Sequence, residues 1–258
     1  MQLPLASLYR DRGGGLACRE SFSSISMTVG GTRRIDRCCN NSRKWSSGCN
    51  LGRELHAPAV SPCYAVSQAP YLDGLLSDEC WQQADEIRLR VASRFSAAGL
   101  ESLERPIVML GYDAEYFYLA GSFPRHPALP VELPRREGRR HDADLTGQDR
   151  LQIAIDLDRD YQSSLVLEVD QRGFTRDTCW LDAGWDPEWF VACQGDERHW
   201  RVELAIPLAE LSRERPVRAN ETWGLSVSRI LPGIGVQSWG EQQGDVPERA
   251  SFGVLQFR

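Results

Sequence analysis

Long apolar runs are missing from this 258-residue sequence. No stretch approaches the roughly 18 consecutive apolar residues of a membrane-spanning helix, so no transmembrane segment is expected. The opening "MQLPLASLYRDRGGG" lacks a basic start followed by an apolar run of about 7–15 residues, and therefore does not have the pattern of a secretory signal. "TRRID" carries paired arginines without a following apolar run, which argues against a twin-arginine signal as well.

Recognisable catalytic motifs are also absent. The sequence has no GxSxG, HExxH or P-loop pattern and only four histidines. Carboxylates occur in pairs, but none is isolated in apolar surroundings as a glycosidase acid would be. The cysteines of the first 60 residues form no CxxC pair and have no suitably spaced histidine, which argues against a zinc site. The sequence therefore does not predict an enzyme.

Positive charge is scarce outside the N-terminal part of the chain. Lys44 is the single lysine, residues 1–60 are net basic, and the remainder is acidic enough to bring the formal net charge to −6. Because duplex binding depends on clustered cations, an acidic body argues against nucleic acid as the main partner. The basic "GGTRRIDRCCNNSRKW" lacks a hydrophobic period and is typical of a disordered tail.

The composition divides the chain into two parts. Residues 1–63, rich in Gly, Ser and Arg, predict a disordered or non-globular N-terminal extension. Residues 64–258 contain about nine or ten short alternating runs separated by Gly, Asp and Pro, which predict strands. Short helices are expected only at residues 78–84 and in "LAELSRE". The pattern predicts an all-β fold, an antiparallel β-sandwich of immunoglobulin-like or jelly-roll-like type.

Two hairpins and several core positions can be predicted within the sandwich. "IVMLGYD" and "EYFYLAGSF" flank a tight turn, and "EWFVACQ" and "HWRVELAIP" flank "GDER". In "WRVELAIP" the period of two puts the tryptophan on the apolar side of the strand. We expect four tryptophans in the core: Trp81, Trp189, Trp200 and Trp223.

The ordered set of segments resembles the carbohydrate-binding family 9 modules and the wider DOMON-like sandwiches. The matching text is "LDGLLSDECWQQA", "YDAEYFYLAGSF", "QDRLQIAIDLD", "WRVELAIPLAEL", "WGLSVSRI" and the closing "FGVLQF". The resemblance covers residues 64–258. It implies a non-catalytic carbohydrate-binding module that recognises a poly- or oligosaccharide of xylan or cellulose type and serves its catabolism, often beside a secreted xylanase. It also implies an extracellular or periplasmic location and, in some members, calcium.

The sequence departs from the family where sugar is bound. Family members sandwich the sugar ring between two tryptophans, one before the "D-x-x-E" strand and one before the terminal "FG". The corresponding segments here, "HDADLTGQD" and "GDVPERAS", contain no aromatic residue. Gln152 stands where the family has a strand glutamate that grips sugar hydroxyls. A sugar site in this chain would therefore have to use other residues.

Candidate ligand-binding residues lie in the predicted loops and at strand ends. Sugar binding needs a flat aromatic face and planar polar groups. Two loop tryptophans flank "LDAG", a third follows "PGIGVQ", a His–Asp pair sits in the longest polar loop, and an arginine ends "SVSR". For each tryptophan the alternative is core packing, for the pair a solvated loop, and for the arginine an ion pair at a sheet edge. These candidates are Trp180, Trp185, Trp239, His141, Asp142 and Arg229.

The sequence establishes no cofactor, but one segment suggests a calcium site. Asp156, Asp158 and Asp160 place three carboxylates in "DLDRD", which suits a hard cation, although the spacing is not that of an EF-hand. A solvated acidic turn is the alternative. Cys179 and Cys193 bracket the tryptophan-rich segment and could pair across two strands, or remain buried thiols.

Two other functions stay open from the sequence. The chain could be a structural or protein-interaction sandwich that has lost its sugar site, which the missing tryptophan pair favours. It could also be a haem-binding redox domain of the DOMON type, which would need axial Met or His ligands. Met109, in a predicted strand, is the only methionine in the sandwich region.

Overall fold

A computed structural model describes residues 58–91, 100, 104–134, 140–161, 163–179, 184–211 and 216–258. The predicted all-β sandwich is confirmed. Within these ranges the chain forms two α-helices, one short 3-10 helix (Arg249–Ser251) and thirteen strands: β1 (Val60–Ala65), α1 (Glu79–Gln83), β2 (Ile87–Arg88), β3 (Arg90–Val91), β4 (Ile107–Tyr112), β5 (Tyr116–Pro124), β6 (Arg150–Asp156), β7 (Leu165–Asp170), β8 (Thr175–Cys179), β9 (Phe190–Gly195), β10 (His199–Pro207), α2 (Leu208–Leu211), β11 (Thr222–Leu231), β12 (Gly235–Ser238) and β13 (Gly253–Phe257).

The strands build two sheets that share β1. Sheet A has the order β8-β7-β6-β11-β13-β1, and β12 pairs with the second half of β11 and with β3. Sheet B has the order β1-β4-β5-β10-β9, and β2 pairs with β4. Both predicted hairpins are present, as the antiparallel pairs β4–β5 and β9–β10. The two pairings of β1, with β13 and with β4, are parallel, so the sandwich is not antiparallel throughout.

The first strand lies earlier in the chain than the predicted domain boundary. β1 begins at Val60, and its residues up to Cys63 are in register with β13 before Tyr64 and Ala65 join β4. Cys63 is fully buried and belongs to the main core. Residues 60–63 are therefore part of the sandwich, because their backbone completes sheet A and their alternate side chains enter its core.

The main core fills the space between the two sheets. Phe123 of sheet B stacks on Trp200 with ring centroids 4.3 Å apart, and Phe117 meets Trp223 of sheet A. Trp81, Trp189, Trp200 and Trp223 are all buried, as the alternation predicts. Trp81 belongs to a second apolar cluster, on the outer side of sheet B, which also contains Met109.

The segment that covers the outer side of sheet B is held by one buried carboxylate. Glu203 on β10 accepts hydrogen bonds from the backbone N–H of Asp73 (3.0 Å) and Gly74 (2.7 Å) and from Trp81 Nε1 (2.7 Å). Gly74 has φ +81°, and a Cβ there would lie 2.7 Å from the backbone nitrogen of Gln194. The motif "LDG…W" is thus a turn and helix that close against sheet B.

No helix in the described part of the chain is long and apolar enough to cross a membrane.

Candidate functional site

The outer side of sheet A is polar, in contrast to that of sheet B. Along β6, Leu151, Ile153 and Ile155 enter the main core, so Arg150 and Gln152 point to the opposite side. The same alternation and the cross-strand register bring further polar side chains beside them. We call this set the polar face: Arg150, Gln152, Glu168, Arg176, Ser226, Ser228 and Ser238.

Glu168 on β7 is the centre of the polar face. Its Oε1 accepts from Arg150 Nε (2.9 Å) and from Gln152 Nε2 (3.1 Å), and its Oε2 accepts from Arg176 Nε (2.6 Å). The side chains of Glu168 and Arg150 are each only 2% exposed. A buried carboxylate is stable there because both of its oxygens receive charged or amide donors.

A loop closes over the polar face. We call residues 240–248 the covering loop. The Gln242 side chain is fully buried and makes four hydrogen bonds: its oxygen accepts from Ser226 Oγ (3.2 Å) and Ser228 Oγ (2.9 Å), and its amide donates to Gln152 Oε1 (2.8 Å) and to the carbonyl of Gly244 (2.9 Å). Asp245 pairs with Arg150 through Oδ2 at 3.0 Å.

The chemistry of the polar face suits a ligand rich in hydroxyl groups. A carboxylate, two guanidinium groups and two primary amides converge on it, and such planar groups can donate to and accept from neighbouring hydroxyls. Two loop segments flank the polar face: the carbonyls of Leu145 and Thr146 accept from Arg150, and Asp245 pairs with Arg150 from the covering loop.

The predicted tryptophans do not lie on the polar face in the described part of the chain. Trp180 lies outside the described residues. Trp185 and Trp239 are half-buried and pack against the main core. Gly253 makes room for the ring of Trp239, because a Cβ at this position would lie 2.6 Å from the indole. Packing, the alternative given for these residues, describes the observed position of both.

His141 and Asp142 are exposed, in the loop before β6. The Nδ1 of His141 lies 2.9 Å from Thr175 Oγ1. Asp142 has a left-handed backbone with φ +50°, and its carboxylate lies within 4.8 Å of those of Asp177 and Asp186. The structure thus joins the predicted His–Asp pair to β8 and to two carboxylates that the sequence did not single out.

Arg229 lies in the interior and is not available to an external ligand. Its side chain is fully buried, donates from Nε (2.8 Å) and Nη2 (2.6 Å) to Asp149, and donates from Nη1 to Gln237 (3.2 Å). Trp200 Nε1 donates to the same carboxylate at 3.0 Å. The alternation along β11 explains the position, since Arg229 shares its side of the strand with Val227 and Leu225. Of the two predicted roles, the structure shows the ion pair, although in the core and not at an edge.

The three predicted metal ligands lie together in the turn after β6. Ligand atoms of Asp156, Asp158 and Asp160 all lie within 4.8 Å of one another. The carboxylate of Asp156 accepts from the backbone N–H of Arg159 and of Tyr161, both at 2.8 Å. Burial raises the pKa of Asp156, and its hydrogen bond with Asp158 acts in the same direction.

Cys179 and Cys193 are buried thiols on the edge strands of different sheets, β8 and β9.

The sequence did not single out most of the polar face. Of its members, only Gln152 drew notice, as a replacement for the family glutamate. Charged residues at outward positions of otherwise apolar strands, as in "RLQIAID" and "LVLEVD", are the signal for Arg150 and Glu168. Gln242 and Asp245 carry no such signal, since the covering loop has no period that would place it over sheet A.

The fold and the polar face together define a β-sandwich with one apolar and one polar outer side. No protein-family model matches the sequence, and no curated protein matches it. Among solved structures, the chain is similar to a family 9 carbohydrate-binding module of Caldicellulosiruptor kristjanssonii in complex with cellotriose. The two are 13% identical with a TM-score of 0.55, over 78% of this chain and 94% of the module.

Two further structures give a similar result. The family 9 module of C. kristjanssonii in complex with glucose has a TM-score of 0.52 and 13% identity, over 77% of this chain and 96% of that one. A Bacteroides uniformis protein, provisionally described as carbohydrate-binding, has a TM-score of 0.55 and 10% identity, over 78% of this chain and all of its own. At these identities the likeness shows the fold: the chain has the sandwich of family 9 modules.

Proposed function

We propose that this protein is a non-catalytic carbohydrate-binding module and that the polar face is its sugar site. One observation carries the proposal: planar hydrogen-bonding groups from neighbouring strands converge on Glu168, between the two segments that resemble the family's binding loops. The likeness to modules solved with cellotriose and with glucose supports the same ligand class. A xylan- or cellulose-type polysaccharide, and a role in its catabolism, are the substrate and context that the resemblance implies.

The exchange of the family glutamate for Gln152 does not remove the carboxylate from the site. Gln152 Nε2 donates to Glu168 Oε1 at 3.1 Å, so the neighbouring strand supplies the negative group that β6 lacks. A sugar ring that displaces the covering loop would receive donors from Gln152 and Arg176 and donate to Glu168. Trp185 and Trp239 pack against the main core, so the proposed site rests on its polar groups and not on a stacked ring of either tryptophan.

Isothermal calorimetry with cellotriose, xylotriose and soluble xylan tests the proposal. Arg176→Gln and Gln152→Ala should each weaken binding about five- to ten-fold, the loss of one or two hydrogen bonds. Arg201→Gln is the matched control: the Arg201 side chain is 31% exposed against 36% for Arg176, it forms an ion pair with Asp196, and it lies on the other sheet. Failure of the unaltered protein to bind any glycan, with or without calcium, would refute the function.

A calcium ion at Asp156, Asp158 and Asp160 is the cofactor proposal. The donor set fits a hard cation, because its ligand atoms are carboxylate oxygens within 4.8 Å of one another. Calcium chloride should raise the melting temperature of the protein and not that of Asp158→Asn. An equal shift in both would contradict the site.

One observation favours the second candidate function, a structural or interaction sandwich. The covering loop fills the polar face with its own Gln242, which makes the hydrogen bonds that a sugar would otherwise make. In that case the glycan titrations would be negative while the protein remains folded. No comparable observation supports haem, since Met109 packs in the apolar cluster beneath Trp81.

A further inference from the structure

The charges on the polar face do not balance without the covering loop. Two guanidinium groups, those of Arg150 and Arg176, bind one buried carboxylate, that of Glu168. These three side chains therefore carry a net charge of about +1, and because the Arg176 side chain is 36% exposed, water screens part of this charge. Hydrogen bonds from Thr146 lower the pKa of the nearby Asp144, and Arg176 and Arg150 act in the same direction. The Oδ1 of Asp144 accepts from the backbone N–H of Thr146, which holds its carboxylate within its own turn.

Asp245 supplies the missing negative charge from a peripheral position. Its side chain is 57% exposed, whereas its partner Arg150 is 2% exposed. The neighbouring residues Gly244 and Val246 are exposed as well. The carboxylate of Asp245 accepts from Arg150 Nη2 at 3.0 Å, and the backbone carbonyl of Asp245 accepts from Gln152 Nε2 at 2.8 Å. Because the Asp245 side of the pair is open to water, a competing carboxylate can reach Arg150 in its place.

Arg150 is held so that one edge of its guanidinium group faces the covering loop. Its Nε donates to Glu168, and its Nη1 donates to the carbonyls of Leu145, Thr146 and Gln148. Only Nη2 is directed to Asp245. A guanidinium group fixed by its other donors is preorganised for a carboxylate. Arg176, 36% exposed and bound to Glu168 on the neighbouring strand, adds a second cation beside it.

We propose that the polar face binds the carboxylate of an acidic sugar, a uronic acid residue in a glycan, and that Asp245 occupies the place of this carboxylate in the sugar-free protein. The inference rests on the proposed function and names its ligand class. Arg150 and Arg176 would pair with the uronate, and the amide of Gln152 would bind ring hydroxyls. Displacement of Asp245 leaves the charge of the site unchanged, because one carboxylate replaces another.

The experiment compares acidic and neutral oligosaccharides on the whole protein. Calorimetry would use trigalacturonic acid and a glucuronic-acid-substituted xylotriose against cellotriose and xylotriose. Asp245→Asn removes the competing charge and keeps the shape and a hydrogen-bond acceptor. It should raise the affinity for both acidic sugars about five-fold, the value of one exposed ion pair, and leave the neutral sugars unchanged. Added salt should weaken acidic binding only.

A matched control variant separates the effect of the Asp245–Arg150 contact on affinity from the effect of net charge. Glu241→Gln changes the net charge equally, in the same loop and at an exposed side chain, and should leave every affinity unchanged. Adding Arg176→Gln to Asp245→Asn should abolish the gain. Equal gains in Asp245→Asn and Glu241→Gln, or neutral sugars binding as tightly as acidic ones in Asp245→Asn, would overturn the inference and leave the proposed function standing. Binding of no sugar at all would remove both.

Discussion

Glu203 shows how one side chain joins an outer segment to the sheet. It accepts three hydrogen bonds, and its burial raises the pKa of its carboxyl above the ordinary value of 4.5. Glu203→Gln leaves at least one buried donor facing an amide NH₂ group, so we expect a loss of about 2 kcal/mol in the free energy of unfolding, measured with urea. Glu115→Gln, at an exposed position, should cost less than about 0.5 kcal/mol.

The same substitution changes the pH dependence of stability. Because the folded protein holds the Glu203 proton more tightly than the unfolded chain does, this contribution is complete below pH 4.5 and is lost as the pH rises through the folded pKa. The stability difference between the unaltered protein and Glu203→Gln should therefore shrink as the pH rises above 4.5 and through the folded pKa. A difference that grows with pH would mean that the three donors outweigh burial.

Arg229 is fully buried, although its place in the sequence indicated an accessible side chain. Its position near the end of a strand indicated a ligand contact or an edge ion pair, but alternation with Val227 puts it inside. Arg229→Met leaves Asp149 buried without its partner and should cost about 3–5 kcal/mol of unfolding free energy. Adding Asp149→Leu should restore part of the loss. Additive costs of the two changes would contradict a coupled pair.

At the scale of elements, the strands could be predicted from the sequence, but the position of the covering loop over sheet A could not. The runs "IVMLGYD" and "EWFVACQ" carry their own period of two, which fixes both the strand and its apolar side. The covering loop has no period. Its place over sheet A depends on long-range contacts such as that between Gln242 and Gln152, which are 90 residues apart in sequence. Glu168 could have been noticed as an outward charge, but its partners could not.

The covering loop should open when Gln242 is shortened. Gln242→Ala removes four hydrogen bonds and leaves Ser226 and Ser228 without this acceptor. We expect amide hydrogen exchange to increase in residues 240–248 and unfolding free energy to fall by about 1–2 kcal/mol. Gln243→Ala is the control, at a neighbouring residue that is only half-buried. Unchanged exchange in Gln242→Ala would show that other contacts hold the loop.

At the scale of the whole molecule, β1 connects the two sheets. Residues 60–63 pair with β13 of sheet A, and Tyr64 and Ala65 pair with β4 of sheet B. The composition change near residue 64 placed the domain boundary inside this strand, because "AVSPCY" has weak strand character by itself. Only the partner strands on both sides give it a structure, and composition cannot report them.

The pairing of β1 predicts at which residue a chain must start in order to form the complete sandwich. A chain that starts at Tyr64 loses the pairing of Val60–Cys63 and leaves the edge of β13 open, together with a cavity where Cys63 is buried. We expect a melting temperature about 6–12 °C lower than that of a chain starting at residue 58, from a loss on the order of 3 kcal/mol. Light scattering should also show self-association through the open edge. Equal melting curves for the two chains would mean that sheet A is stable without β1. The parallel pairing of β1 with β13 would then contribute nothing to stability.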